Sequence, residues 1–123
     1  MKKIFILMAV AGLVYACGSN DKKNKQPGEP AITENADYQQ GLALVAKNQC
    51  LTCHQVEDKL TGPPYREVAE KYAGMPDTIV AHLARKIISG GNGVWGEIFM
   101  LPHPGVSQVD AETMVKYILL LKK

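Results

Sequence analysis

A chain of 123 residues, 46% hydrophobic and 21% charged, is long enough for one compact domain with an appendage, and too apolar to be disordered throughout. Its formal charge of +2 arises before residue 36, since from Ala36 onward nine acidic side chains stand against nine basic ones, and no basic stripe points to nucleic acid. A domain this small has a thin core and commonly relies on a disulfide, a metal or a cofactor.

In chain order, Lys2-Lys3 is followed by 13 residues without a charge, Ile4 to Ala16. This is the basic start and short apolar stretch of an export signal, too short to span a bilayer. The stretch ends in Val14-Tyr15-Ala16-Cys17, which resembles the lipobox of bacterial lipoproteins. An ordinary signal cleaved after Ala16 is the alternative, but it leaves Cys17 as a stray thiol among three cysteines, an odd number. The resemblance implies a signal peptide over 1–16, a lipid on Cys17, and a chain exported to the bacterial cell envelope, anchored to a membrane and facing the periplasm. From Gly18 to Asn35 the residues are polar and rich in Lys, Asn, Pro and Gly, with no apolar face. Residues 17–35 read as a flexible tether and 36–123 as the folded domain.

The first helix is expected from about Ala36 to Asn48, capped by Asp37, with Tyr38, Leu42, Val45 and Ala46 on its apolar face. A loop with Thr61-Gly62-Pro63-Pro64 follows, then a helix from Tyr65 to Tyr72, halted by Gly74 and Pro76. Another helix is expected from Pro76 or Asp77 to Ile88, ended by Gly90-Gly91-Asn92-Gly93. A long non-helical loop then carries Trp95, Met100 and His103. Ser107-x-x-Asp110 resembles a capping box and opens the last helix, which runs to the carboxyl end. No strand pattern competes, so the domain is expected to be all-α, with about four helices.

Cys50-Leu51-Thr52-Cys53-His54 is C-x-x-C-H, the attachment sequence of c-type haem. Each thiol can add to one porphyrin vinyl group while the adjacent imidazole binds the iron. Zinc would need four ligands, and beyond this motif only His82 and His103 remain as good ones, with no second C-x-x-C. A thioredoxin-like pair would need a β-α-β pattern, which is missing, and a Cys50–Cys53 disulfide would close a short, strained loop.

The sixth iron ligand decides between electron transfer and ligand chemistry. The candidates are Met75, Met100, Met114, His82 and His103. Met114 falls on the apolar face of the last helix, where methionine ordinarily fills core gaps. Met100 lies in a loop bounded by Gly and Pro that can lie flat against a ring, and is the expected ligand. Its soft sulfur favours ferrous iron.

With motif, loop and helix order together, residues 36–123 resemble a class I cytochrome c, the short bacterial monohaem type. The likeness rests on Gly41-x-x-Leu44-Val45, LTGPPYREVAEKYAG, GGNGVWGEIFMLP and a final helix with Tyr117. It implies a small cytochrome c fold wrapped around one covalently attached haem c, held by Cys50 and Cys53, with His54 and Met100 as axial ligands. It further implies that the Pro63 carbonyl accepts the His54 Nδ1 proton, that Trp95 and Lys86 contact a haem propionate, and that Tyr117 packs near Gly41. The chain departs from the pattern in Leu101-Pro102-His103-Pro104-Gly105, one residue longer with histidine in place of asparagine, and in Val45, where a bulky aromatic is usual.

The function so implied is one-electron carriage between membrane respiratory complexes, or to a terminal reductase or oxidase. It is not an enzyme: it acts on redox partner proteins, with no small-molecule substrate, as a monomer. The competing readings are a haem-based sensor or peroxidase-like protein with a displaceable Met100, and a subunit fixed on a larger complex.

Overall fold

Residues 30–123 are described in the computed structural model, so the expected signal segment 1–16, Cys17 and most of the tether 17–35 lie outside the described residues. The first described element, α1, is a single helical turn, Pro30–Thr33, within the segment read as tether. The next helix, α2, spans Ala36–Lys47. Its cap is Asn35, not Asp37: the Asn35 Oδ1 accepts from the backbone N–H of Asp37 at 2.8 Å and of Tyr38 at 3.4 Å. A capping residue needs extended backbone, and Asn35 has it, at φ −70° and ψ 129°. Asp37 sits inside the first turn, where its charge favours the positive helix end.

After α2, Gln49 turns left-handed at φ 57° and directs the chain into a 3-10 turn, Cys50–Thr52. Helix α3 spans Tyr65–Lys71 and α4 spans Thr78–Ser89. Gly74, at φ 74°, reverses the chain between them. Helix α4 closes at Gly90, whose φ of 68° with ψ −162° is a conformation that glycine accommodates and L side chains rarely adopt.

The expectation of a strandless loop after α4 is corrected: β1, Gly91–Gly93, pairs antiparallel with β2, Gly96–Met100. Gly91 lies opposite Met100 and Gly93 opposite Gly96. Positive φ at Gly93 and Gly96, 104° and 108°, permits so tight a return. No alternation marked β2, because four of its five residues are exposed and neither face is committed to the core.

Helix α5, Gln108–Leu120, begins where expected: the Ser107 Oγ accepts from the Asp110 N–H at 3.1 Å. It is the spine of the domain, in contact with α2, α3 and α4. It buries Ala111, Met114, Val115, Tyr117 and Ile118 against Val45, Tyr65, Ala69, Ala84 and Ile87. The fold is mostly helical. Arg66 ties the far end of α5 down, donating to Glu57 and to the Leu121 carbonyl. The guanidinium holds the Glu57 carboxyl below the usual carboxylate range.

Candidate functional site

One cavity of about 580 Å³ opens between the 3-10 turn, α4, the hairpin and α5. Its volume lies within the range of cofactor sites, roughly 300–1,000 Å³. Cys50, Cys53, His54, Pro63, Lys86, Trp95 and Met100 all line it. Residues 50 to 54 and residue 100 lie far apart in sequence, so only the fold brings them to one cavity.

The C-x-x-C-H segment is shaped by its own backbone. The N–H groups of Cys53 and His54 both donate to the Cys50 carbonyl, at 3.1 and 3.0 Å, which puts both thiols and the imidazole on one tight turn. The loop beyond it is stitched back by the Gly62 N–H to the Cys53 carbonyl at 2.9 Å and the Tyr65 N–H to the Gln55 carbonyl at 2.8 Å. This brings the Pro63 carbonyl to 2.8 Å from the His54 Nδ1, the contact expected from the sequence. With Nδ1 as the donor, Nε2 is the nitrogen left with a lone pair for a metal. Gly62 is required for this approach, since a Cβ there would lie 2.3 Å from the His54 Cε1.

Met100 is half-buried at the end of β2 and packs against the core. Three features hold it there. The hairpin register sets it opposite Gly91. The Met100 carbonyl crosses Gly90 so closely that a Cβ on that glycine would come within 2.3 Å of it. The His103 N–H donates to the Ile87 and Ile88 carbonyls, both at 3.1 Å, pinning the following segment to the end of α4.

Of the other candidate ligands, Met114, His82 and His103 also line the cavity, whereas Met75 does not and is 48% exposed. Met114 is 1% exposed within the α5 core face, the place expected of a gap-filling methionine. Trp95 is partly exposed, and the Lys71 Nζ lies 5.3 Å from its ring centroid, a cation–π contact linking α3 to the hairpin. Lys86 is exposed on α4 beside Gly91.

Sequence reasoning missed Tyr65, assigned only to the start of a helix. Its ring stacks on His54 with centroids 5.2 Å apart and planes 10° from parallel. Burial pushes its phenol well above the ordinary range, and the neighbouring Cys50 adds to the shift. The Cys50 thiol is likewise raised by burial, partly offset by the neighbouring Tyr65 hydroxyl. No sequence signal singled out Tyr65, because its contacts depend on how the loop closes.

The donor set fits a covalently attached haem: two thiols and an oriented imidazole on one wall, a thioether from another element, and a largely apolar lining with Leu83, Ile87, Val115 and Ile118. Zinc does not fit, as no group of three or more His, Cys, Asp or Glu able to hold a metal occurs among the described residues.

The sequence model of the family "Cytochrome c" matches residues 38–122. Cytochrome c-552 of Nitrosomonas europaea is 47% identical over 88 residues, 71% of this chain and 84% of that protein. Cytochrome c-552 of Hydrogenobacter thermophilus is 37% identical over 122 residues, covering 99% of this chain and 100% of that one. The crystal structure of the wild-type Nitrosomonas europaea protein superposes with a TM-score of 0.62 at 46% identity, covering 66% of this chain and 99% of that one. Domain-wide matches of this kind, over a cavity with these donors, establish that the chain belongs to the cytochrome c family, as a class I cytochrome of the small bacterial type with one covalent haem c.

Proposed function

We propose that the protein is a one-electron carrier of the bacterial cell envelope, with the haem iron held between the His54 Nε2 and the Met100 sulfur. The observation that carries this reading is the convergence of His54 and Met100, from separate elements, on the one apolar cavity that also receives Cys50 and Cys53. Haem c supplies the one-electron couple. Cys50 and Cys53 anchor it through thioethers, and the Pro63 carbonyl orients His54 by a 2.8 Å hydrogen bond. The Met100 sulfur, a soft and weakly basic ligand, raises the potential by favouring the reduced state. Leu83, Ile87, Val115 and Ile118 exclude water, so little reorganises as charge changes. Lys86 and Trp95, on the cavity rim, serve to contact a propionate.

In this reading residues 1–16 are a removed signal, Cys17 carries the lipid, 17–35 tether the domain, and 36–123 face the periplasm. The protein works as a monomer on redox partner proteins of a respiratory chain and transforms no small molecule. The near balance of charge in the domain, nine acidic against nine basic residues, favours docking with weak salt dependence.

The test compares visible spectra of the holoprotein and Met100→Ala. A low-spin reduced spectrum and a weak far-red methionine–iron band in the oxidised form, lost in the variant, are expected. High-spin iron that binds carbon monoxide without the mutation would instead support the sensor or peroxidase-like reading. That reading draws on the two further imidazoles, His82 and His103, in the cavity wall.

A further inference from the structure

Tyr65 is 4% exposed, and its ring lies against one of the residues assigned to the haem. Its ring lies parallel to the His54 imidazole at 5.2 Å between centroids. Its ring also meets Tyr117 of α5 in a T-shaped contact, 6.4 Å and 87°. Its N–H is held by the Gln55 carbonyl at 2.8 Å, one residue beyond His54. The ring is thus braced by the core on one side and placed against the iron-binding imidazole on the other.

We propose that Tyr65 is a positioning residue for His54, and that its electron-rich ring face favours the oxidised haem and so holds the reduction potential down. This rests on the haem reading above. The Nδ1 bond to Pro63 anchors the imidazole at one atom but leaves it free to rock about that bond; a parallel ring on its face removes that freedom. When the iron loses an electron, its added positive charge spreads onto the coordinated imidazole. The negative face of an aromatic ring attracts positive charge. That attraction is stronger in the oxidised state than in the reduced one.

The experiment measures the midpoint potential of the holoprotein beside Tyr65→Phe and Tyr65→Leu, together with the hyperfine-shifted proton resonances of His54 in the oxidised form. In Tyr65→Leu the equilibrium constant for reduction is expected to rise three- to tenfold, tenfold being about 59 mV for one electron, with the His54 resonances displaced and the far-red methionine–iron band retained. Tyr65→Phe, which keeps the ring face, is expected to recover most of that shift. A Tyr65→Leu equilibrium constant for reduction within a factor of two of the parent, or one that falls, overturns the proposal. If Tyr65→Leu does not accumulate as holoprotein, Tyr65→pentafluorophenylalanine decides, because it keeps the shape and reverses the ring-face charge. A rise in potential supports the proposal and no rise overturns it. A parent protein without a c-type spectrum would sink the haem reading itself, an outcome distinct from a haem protein whose potential ignores residue 65.

Discussion

Gly62 shows how one missing side chain sets the chemistry of the site. Its Cα lies against the imidazole so closely that an added Cβ would fall 2.3 Å from Cε1, 2.6 Å from Nδ1 and 2.8 Å from Nε2. The ring cannot yield easily, since Pro63 and Tyr65 hold it. Gly62→Ala is therefore expected to swing His54 out of place, lowering the haem absorbance per chain and costing the holoprotein about 1–3 kcal/mol, the usual range for overpacking. The ratio of haem to protein absorbance and a denaturant midpoint would check both. This role was not legible beforehand: Thr61-Gly62-Pro63-Pro64 read simply as a loop, and what approaches a glycine is a matter of folding. The Pro63 contact to His54, by contrast, was expected through the family likeness.

Among the elements, the crossing of α2 and α5 governs the rest, because α5 also carries the side chains that close the cavity. The two helices meet at Gly41, where a Cβ would stand 2.3 Å from the Tyr117 Cβ and 2.6 Å from the Thr113 carbonyl. Tyr117 is further fixed by T-shaped contacts to Tyr38 at 5.1 Å and Tyr65 at 6.4 Å. Gly41→Ala gains helix propensity, roughly 1 kcal/mol, but forces two backbones apart. The clash should win, with a net loss of about 1–3 kcal/mol and a melting temperature lower by several degrees in calorimetry. Helix order was readable because the apolar spacing recurs about every 3.6 residues. The hairpin was not, because Gly91–Gly93 carries no side-chain pattern and β2 leaves Ile98 and Phe99 exposed.

Taken whole, the domain is built around a cavity of about 580 Å³ lined largely by apolar side chains. A domain this small has a thin core, so a group bound among these side chains adds to it, and haem attachment is expected to be coupled to folding. The double variant Cys50→Ala with Cys53→Ala, purified without haem, is expected to lose most far-ultraviolet helical signal and to melt without a cooperative transition. A sharp transition near that of the holoprotein would contradict this coupling. With haem supplied, non-covalent binding through His54 should restore helix by mass action.

Much of this protein is determined locally, and that part the sequence carried by itself. Attachment of a c-type haem needs two thiols and an imidazole on a single turn, and five consecutive residues, Cys50 to His54, contain that geometry whatever surrounds them. The main helices follow from the period of their apolar residues, and Ser107 with Asp110 marks the start of α5. The tertiary structure decided what depends on distant segments meeting. It alone set Met100 and Met114 in the cavity wall while leaving Met75 outside, turned a glycine-rich loop into a hairpin that presents Met100, and laid Tyr65 on His54. The physical reason is that a side chain's chemistry travels with the residue, but its contacts depend on loop closure and on backbone approach at Gly41, Gly62 and Gly90, where the absence of an atom, invisible as a pattern, permits the contact.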